Sequence, residues 1–227
     1  MYQLFIGNKN YSSWSLRPWL LMHHLEIPFV EKLVTFEEGG SWEKFHTFSP
    51  TGQVPCLKTD TTTVWDSLAI TEYLAEDFPQ VWATDRQARA WSRCASAEMH
   101  SGFSSLRNMC PMNCSLKVTL NEISNSLQRD LKRVDELWIE GIQQFGGPFL
   151  AGQEFTAVDA FFAPVTIRVK NYNLPLGKTA KEYIALIHNL PSMKKWLTDA
   201  IQEPWRETIH EEEAATFGTI TADLRNV

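Results

Sequence analysis

The first 78 residues switch repeatedly between two hydrophobic periods. Tyr2 to Ile6 is a short apolar run that reads as a strand. Ser15 to Leu25 places Leu16, Trp19, Leu20 and His23 at helical spacing. Phe29 to Phe36 returns to strand character through Val30, Leu33 and Val34, and Trp42 to Phe48 reads as a short helix. Val54 to Leu57 and Thr62 to Trp65 are two short strands around a Thr59-Asp60-Thr61 turn. Ser67 to Asp77 is a helix that buries Leu68, Ile70, Tyr73 and Leu74. The predicted order is βαβαββα. Its opening βαβ unit requires a parallel pair with a right-handed crossover, and its last two strands form a hairpin.

After Phe78-Pro79 the pattern changes. Residues 79–85 read as a linker, and from Arg86 onward every long segment has helical period. Helices are expected over 86–109, 117–145, 157–171, 179–188 and 191–201. Gly146-Gly147-Pro148 stops the second, and Thr156-Ala157-Val158-Asp159 opens the third as a capping box. Residues 204–227 have no strong period and read as a partly ordered tail, with His210-Glu211-Glu212-Glu213 as a solvated face or loop. The expected architecture is an α/β domain over 1–78 and an all-α helical bundle over 86–227. The four-strand half has the thioredoxin topology.

The chain has 227 residues, which suits one large or two small domains. Hydrophobic residues are 44% and charged residues 21%, so wholesale disorder is excluded. The net charge is −6, with only 21 Lys and Arg, which argues against a general nucleic-acid binder. No apolar run approaches the roughly 20 residues of a membrane span, and Met1 to Gly7 lacks the basic start of a signal peptide. A cytoplasmic protein with no membrane partner is expected. Cys56, Cys94, Cys110 and Cys114 are too few and scattered for a disulfide framework. Cys110 and Cys114 would share a helix face, but no His or second Cys pair lies near them, so packing is favoured over a metal or redox site.

Three segments carry candidate chemistry. In Asn10-Tyr11-Ser12-Ser13-Trp14-Ser15-Leu16-Arg17, two serines stand ahead of a helix N-terminus, where free N–H groups and the helix dipole favour negative charge. A hydroxyl there could stabilise a bound thiolate, or the serines could simply be caps. Gly52-Gln53-Val54-Pro55-Cys56 opens a strand with proline. In a thioredoxin-type fold that proline is cis and presents the preceding backbone to a ligand. Trp65-Asp66-Ser67-Leu68 puts an acid and a hydroxyl at a helix start. Together they suit an amino-acid head group bearing both charges, or else they form a cap pair.

These residues carry a family resemblance. The chain resembles the cytosolic glutathione transferases over roughly residues 2–200. Ser12 to Arg17 is similar to the serine turn of the theta and zeta classes. Ser49-Pro50-Thr51-Gly52-Gln53-Val54-Pro55 resembles the family's proline segment, and Asp66-Ser67-Leu68-Ala69-Ile70 its acid–serine segment. Phe155 to Asp159 looks like its helical-domain capping box. The resemblance implies glutathione as co-substrate, Ser13 or Ser12 as thiol activator, and Gln53, Val54, Pro55, Asp66 and Ser67 as glutathione contacts. It implies no metal. Trp14 replaces the small or cysteine residue of the zeta turn, which counts against zeta-type isomerase activity. Residues 10–15 contain no cysteine, which counts against deglutathionylation.

The reaction expected from the resemblance is conjugation of glutathione thiolate to a small, hydrophobic electrophile, in a detoxifying homodimer. Met99, His100, Phe103, Leu106 and Arg107 are candidates for the electrophile pocket, with core or interface as the alternative for the Met and aromatic stripe. The apolar face around Trp91 and Met99 is the candidate dimer surface. Two alternatives remain: a zeta-type maleylacetoacetate isomerase, and a non-catalytic binding module. All three parts of the ligand site are present, which favours an enzyme over the module.

Overall fold

The computed structural model describes residues 1–225. Its first part contains β1 (Tyr2–Ile6), α1 (Ser13–His24), β2 (Phe29–Leu33), α2 (Trp42–His46), β3 (Cys56–Lys58), β4 (Thr63–Trp65) and α3 (Ser67–Asp77). The strands form one sheet in the order β2-β1-β3-β4. β1 runs parallel to β2, with Tyr2 opposite Phe29 and Ile6 opposite Leu33. The β1–β3 and β3–β4 pairs are antiparallel. This is the βαβαββα order expected from the alternating periods.

The second part contains α4 (Arg86–Ser101), α5 (Ser104–Met109), β5 (Leu116–Leu120), α6 (Asn125–Phe145), α7 (Ala157–Asn171), α8 (Lys178–Asn189), α9 (Pro191–Gln202), α10 (Thr208–Ala215) and β6 (Gly218–Asp223). It is helical, as expected, but it also carries an antiparallel β5–β6 ribbon that an all-α reading omits. The helix expected over 117–145 therefore begins only at Asn125, where Ser124 accepts the Leu127 N–H as N-cap. Leu116, Val118 and Leu120 alternate with polar residues, and period 2 wins once a distant partner strand exists. The helix expected over 86–109 is broken at Gly102-Phe103, with Phe103 left-handed at φ 58°. Arg107 explains the break. Its Nε donates to Gly102 O at 2.9 Å, and its Nη2 reaches His100 O at 3.1 Å and also Met99 O. A cation thus satisfies the last carbonyls of α4 at the negative end of its dipole.

The tail expected over 204–227 is ordered as α10 and β6, while its last two positions lie outside the described residues. The His210 to Glu213 segment is not simply a solvated face. His210 stacks on Tyr11 and Phe36, at ring separations of 5.1 and 5.0 Å, and Glu211 pairs with Arg225 at 2.6 Å.

α1 joins the two parts. Leu16, Trp19, Leu20, Leu21 and Met22 are all fully buried, because the helix packs against β1, α3, α7 and α9. The loop before it is pinned to the second part. Lys9 N–H donates to Glu203 Oε1 at 2.7 Å, and Lys9 Nζ meets Asp199 at 2.8 Å. Asn10 Oδ1 accepts the Ser115 N–H and hydroxyl at 3.1 and 3.0 Å. The capping box forms, with Thr156 N–H donating to Asp159 Oδ2 at 2.9 Å. Among the described residues no helix is long and apolar enough to cross a membrane.

Candidate functional site

A cavity of about 840 Å³ opens between the two parts of the molecule. Ser12, Ser13, Trp14, Gln53, Val54, Pro55, Asp66 and Ser67 line it from the first part, and Arg107, Pro111, Met112, Arg168 and His210 from the second. The fold therefore brings together segments that lie more than forty residues apart in the chain, as the register of β3 on β1 requires.

The two serines differ in what they do. Ser12 is the N-cap of α1. Its hydroxyl accepts the Ser15 N–H at 3.3 Å and donates to Ser15 Oγ at 2.7 Å, while Ser15 Oγ accepts the Gly7 N–H at 3.1 Å. Ser13, the first helical residue, faces the same cavity, and its hydroxyl makes no hydrogen bond among the described residues. The Val54–Pro55 peptide bond is cis.

At the α3 start, Asp66 sits at φ 75°, ψ 137°, a conformation that side chains with a Cβ rarely adopt. Its Oδ1 accepts the Leu68 and Ala69 N–H groups at 2.7 and 3.3 Å, so it caps the helix. Its Oδ2 lies 3.3 Å from His100 Nε2. Ser67 is fully buried, and its Oγ accepts from Arg17 Nη1 at 3.4 Å. Burial, then the charges of Arg107 and Arg168, hold the Arg17 guanidinium well below its ordinary value, while Asp66 opposes them.

The electrophile-pocket residues divide. Arg107 lines the cavity. Met99, Phe103 and Leu106 do not: they are 2%, 7% and 0% exposed and pack in the core. Met99 lies on the buried face of α4, and the break at Gly102-Phe103 redirects Phe103 and Leu106, which continuous helical spacing would put beside Arg107 on one cleft face. His100 lies behind the cavity wall, between Asp66 and the edge of Trp14 at 5.2 Å. On the apolar face around Trp91 and Met99, Met99 is buried and Trp91 half-buried. Trp91 rests on Phe145 at 5.5 Å and donates to Glu140.

Several lining residues were not legible in the chain: Tyr11, Phe36, Trp42, Arg168, Glu207 and His210. Tyr11 donates to Glu211 at 2.5 Å, and burial foremost raises its phenol to about 12. Burial also raises the Cys110 and Cys114 thiols to about 12, so neither is a ready thiolate. All four cysteines are free, and among the described residues no cluster of His, Cys, Asp and Glu is placed to hold a metal.

A thioredoxin-like sheet followed by a helical unit, with a cavity lined by both, defines a class of two-part folds. The chain belongs to the glutathione S-transferase superfamily: the model of the glutathione S-transferase N-terminal domain matches residues 11–77, and that of the C-terminal domain matches residues 120–199. It is 27% identical over 170 residues to a maleylacetoacetate isomerase from Rattus norvegicus, covering 73% of this chain and 76% of that protein. It is also 27% identical over 169 residues to glutathione S-transferase 1 from Dianthus caryophyllus, with the same coverage. A glutathione transferase homologue from Burkholderia, solved with bound glutathione, shares the fold at a TM-score of 0.67 and 21% identity. That match covers 88% of this chain and 97% of the other.

Proposed function

We propose that this protein is a glutathione transferase that conjugates glutathione thiolate to small electrophiles. The observation that carries the reading is that the free Ser13 hydroxyl, the Val54 backbone beside Pro55 and the Asp66-Ser67 helix start all open into one cavity. The Val54 backbone would pair with the cysteinyl unit of glutathione, with Gln53 beside it. Ser67 and the N-terminus of α3 would hold the γ-glutamyl carboxylate. Asp66 would take the γ-glutamyl ammonium.

The sulfur would then lie near Ser13, at the positive end of the α1 dipole. A hydroxyl donating to a thiolate favours the charged form, which is the nucleophile. The thiolate attacks an electrophilic carbon, a carbon–sulfur bond forms, and the leaving group departs with the bonding pair. The protein holds both reactants in one enclosed volume and forms no covalent bond itself. We assign the protein to the cytoplasm and to a homodimer on family membership, not on the face around Trp91 and Met99.

Calorimetric titration with glutathione, then turnover with an activated chloronitrobenzene, tests the reading. Saturable binding with conjugate formation is expected. Binding with no thiolate formed at neutral pH would leave a non-catalytic module, and no binding would overturn the site. The rat relative is named an isomerase, and product analysis separates isomerisation at the same site from conjugation.

A further inference from the structure

The part of the cavity wall built by the second domain is charged, not purely apolar: it carries two arginines as well as Glu207 and Glu213. Arg107 and Arg168 both line it, next to Pro111 and Met112. Arg168 is 7% exposed, and its Nε donates to Cys110 O at 2.8 Å. Its two terminal nitrogens have no protein partner among the described residues, and the residue lines the cavity. Arg107 uses Nε and Nη2 on the carbonyls at the end of α4, and its Nη1 has no partner among the described residues. Arg17 lies behind them, fully buried, with its Nε unpartnered. The Arg17 and Arg107 guanidiniums stand 4.2 and 4.7 Å from the Trp14 ring centre.

No carboxylate forms an ion pair with any of these three arginines among the described residues. The acids on the cavity wall are mostly committed elsewhere: Glu37 to Lys44 at 2.9 Å, Glu207 to His210 at 2.6 Å, and Asp66 to its own helix and His100. Glu213, the fourth, lines the cavity and is in no ion pair among the described residues. Carbonyl partners satisfy N–H groups but do not neutralise the positive charges, and Asp66 favours the charged Arg17 without pairing with it. Burying guanidiniums side by side without counter-charges is costly. The cost is relieved when an anion completes the cluster.

We propose that the acceptor substrate carries a carboxylate, seated on Arg168 and Arg107 with its apolar body against Trp14, Pro111 and Met112. The planar fork of Arg168 suits a carboxylate held by two parallel hydrogen bonds. This rests on the transferase reading and narrows it from a hydrophobic electrophile to an amphipathic anionic one.

The test uses the intact chain and three S-substituted glutathiones: S-benzyl, S-(para-carbamoylbenzyl) and S-(para-carboxybenzyl). The last two differ only in charge and in one hydrogen-bonding group. The carboxybenzyl conjugate is expected to bind about tenfold or more tightly than the carbamoyl conjugate, the gap set by one charge-assisted contact. Arg168→Gln and Arg107→Gln should each shrink that ratio, with S-benzylglutathione affinity reporting that the site is intact. Should a variant fail to fold, salt titration of the native protein supplies the readout: all three conjugates share the charged glutathione part, and added salt should weaken the carboxybenzyl conjugate more steeply than the other two. Equal affinities for the pair in the native protein overturn the proposal and leave the transferase reading standing. Equal loss of both conjugates in the arginine variants places the arginines on glutathione itself, which also overturns it. Failure of all three conjugates to bind overturns the transferase reading, and the proposal with it.

Discussion

The Ser12 hydroxyl donates to Ser15 Oγ at 2.7 Å, which spends its only proton inside the α1 cap. Ser13, one residue on, keeps its proton for the cavity. Removing the two hydroxyls should therefore have different consequences. Ser13→Ala is expected to raise the pKa of bound glutathione by roughly one to two units, the value of one hydrogen bond to a charged group. Turnover should fall at pH values below the shifted pKa, while the melting temperature stays close to that of the native protein. Ser12→Ala should cost about 1 kcal/mol of stability and move the thiol little. Thiolate absorbance against pH and a thermal melt read the two effects. If Ser12→Ala alone moves the thiolate titration, the assignment passes to Ser12. If neither does, the backbone amides of the turn stabilise the thiolate.

Ser67 should act on binding and not on the chemical step. Its Oγ already accepts from Arg17, and under the proposed reading it would hold the γ-glutamyl end of glutathione, away from the sulfur. Such an interaction is the same in ground and transition states. Ser67→Ala should weaken glutathione by about 1.5–3 kcal/mol, tenfold or more, with kcat nearly unchanged. An unchanged KM for glutathione would remove Ser67 from the site.

Gly141 lies inside α6, where alanine ordinarily stabilises by about 0.5–1 kcal/mol. Here the sign should invert. A Cβ at this position would stand 2.4 Å from Leu150 O and 2.5 Å from the Trp91 ring. Gly141→Ala is expected to destabilise by about 1–3 kcal/mol. Urea unfolding checks this, and a stabilised variant would mean that α6 can move away from the Leu150 turn.

His188 sets an acid-side loss of stability. Burial, followed by the Lys170 charge, lowers its pKa from the ordinary 6.5 to about 4. The unfolded chain takes up the proton near the ordinary value, and the folded chain only near the lowered one. Its contribution is therefore present above about pH 6.5 and is lost as pH falls towards 4. His188→Gln should flatten melting temperature against pH over that window relative to the native protein. Parallel profiles would contradict the burial of this ring.

The first part of the fold was legible because its elements are short and local, with β1, α1, β2 and α3 each announced by their own period or cap. Val54-Pro55 and Asp66-Ser67 were also readable, since a strand-opening proline and an acid–hydroxyl pair at a helix start have local meaning. The break at Gly102-Phe103 was not, because it depends on a side chain five residues ahead that turns back to take three carbonyls. The β5–β6 ribbon was hidden for a related reason. Leu116 to Leu120 become a strand only by pairing with residues about a hundred positions later, and helical period masks that choice until the partner arrives.

By itself the sequence determined the two-part fold and the segments of its first half that line the cavity, because periodicity, caps and turn residues act over a few positions. Only the tertiary structure decided which serine keeps its proton, that Met99, Phe103 and Leu106 are core, and that Arg107 and Arg168 meet on the cavity wall. Those outcomes depend on which face a helix turns inward and on which charges lack a partner. Both are fixed by packing between segments that the chain places far apart.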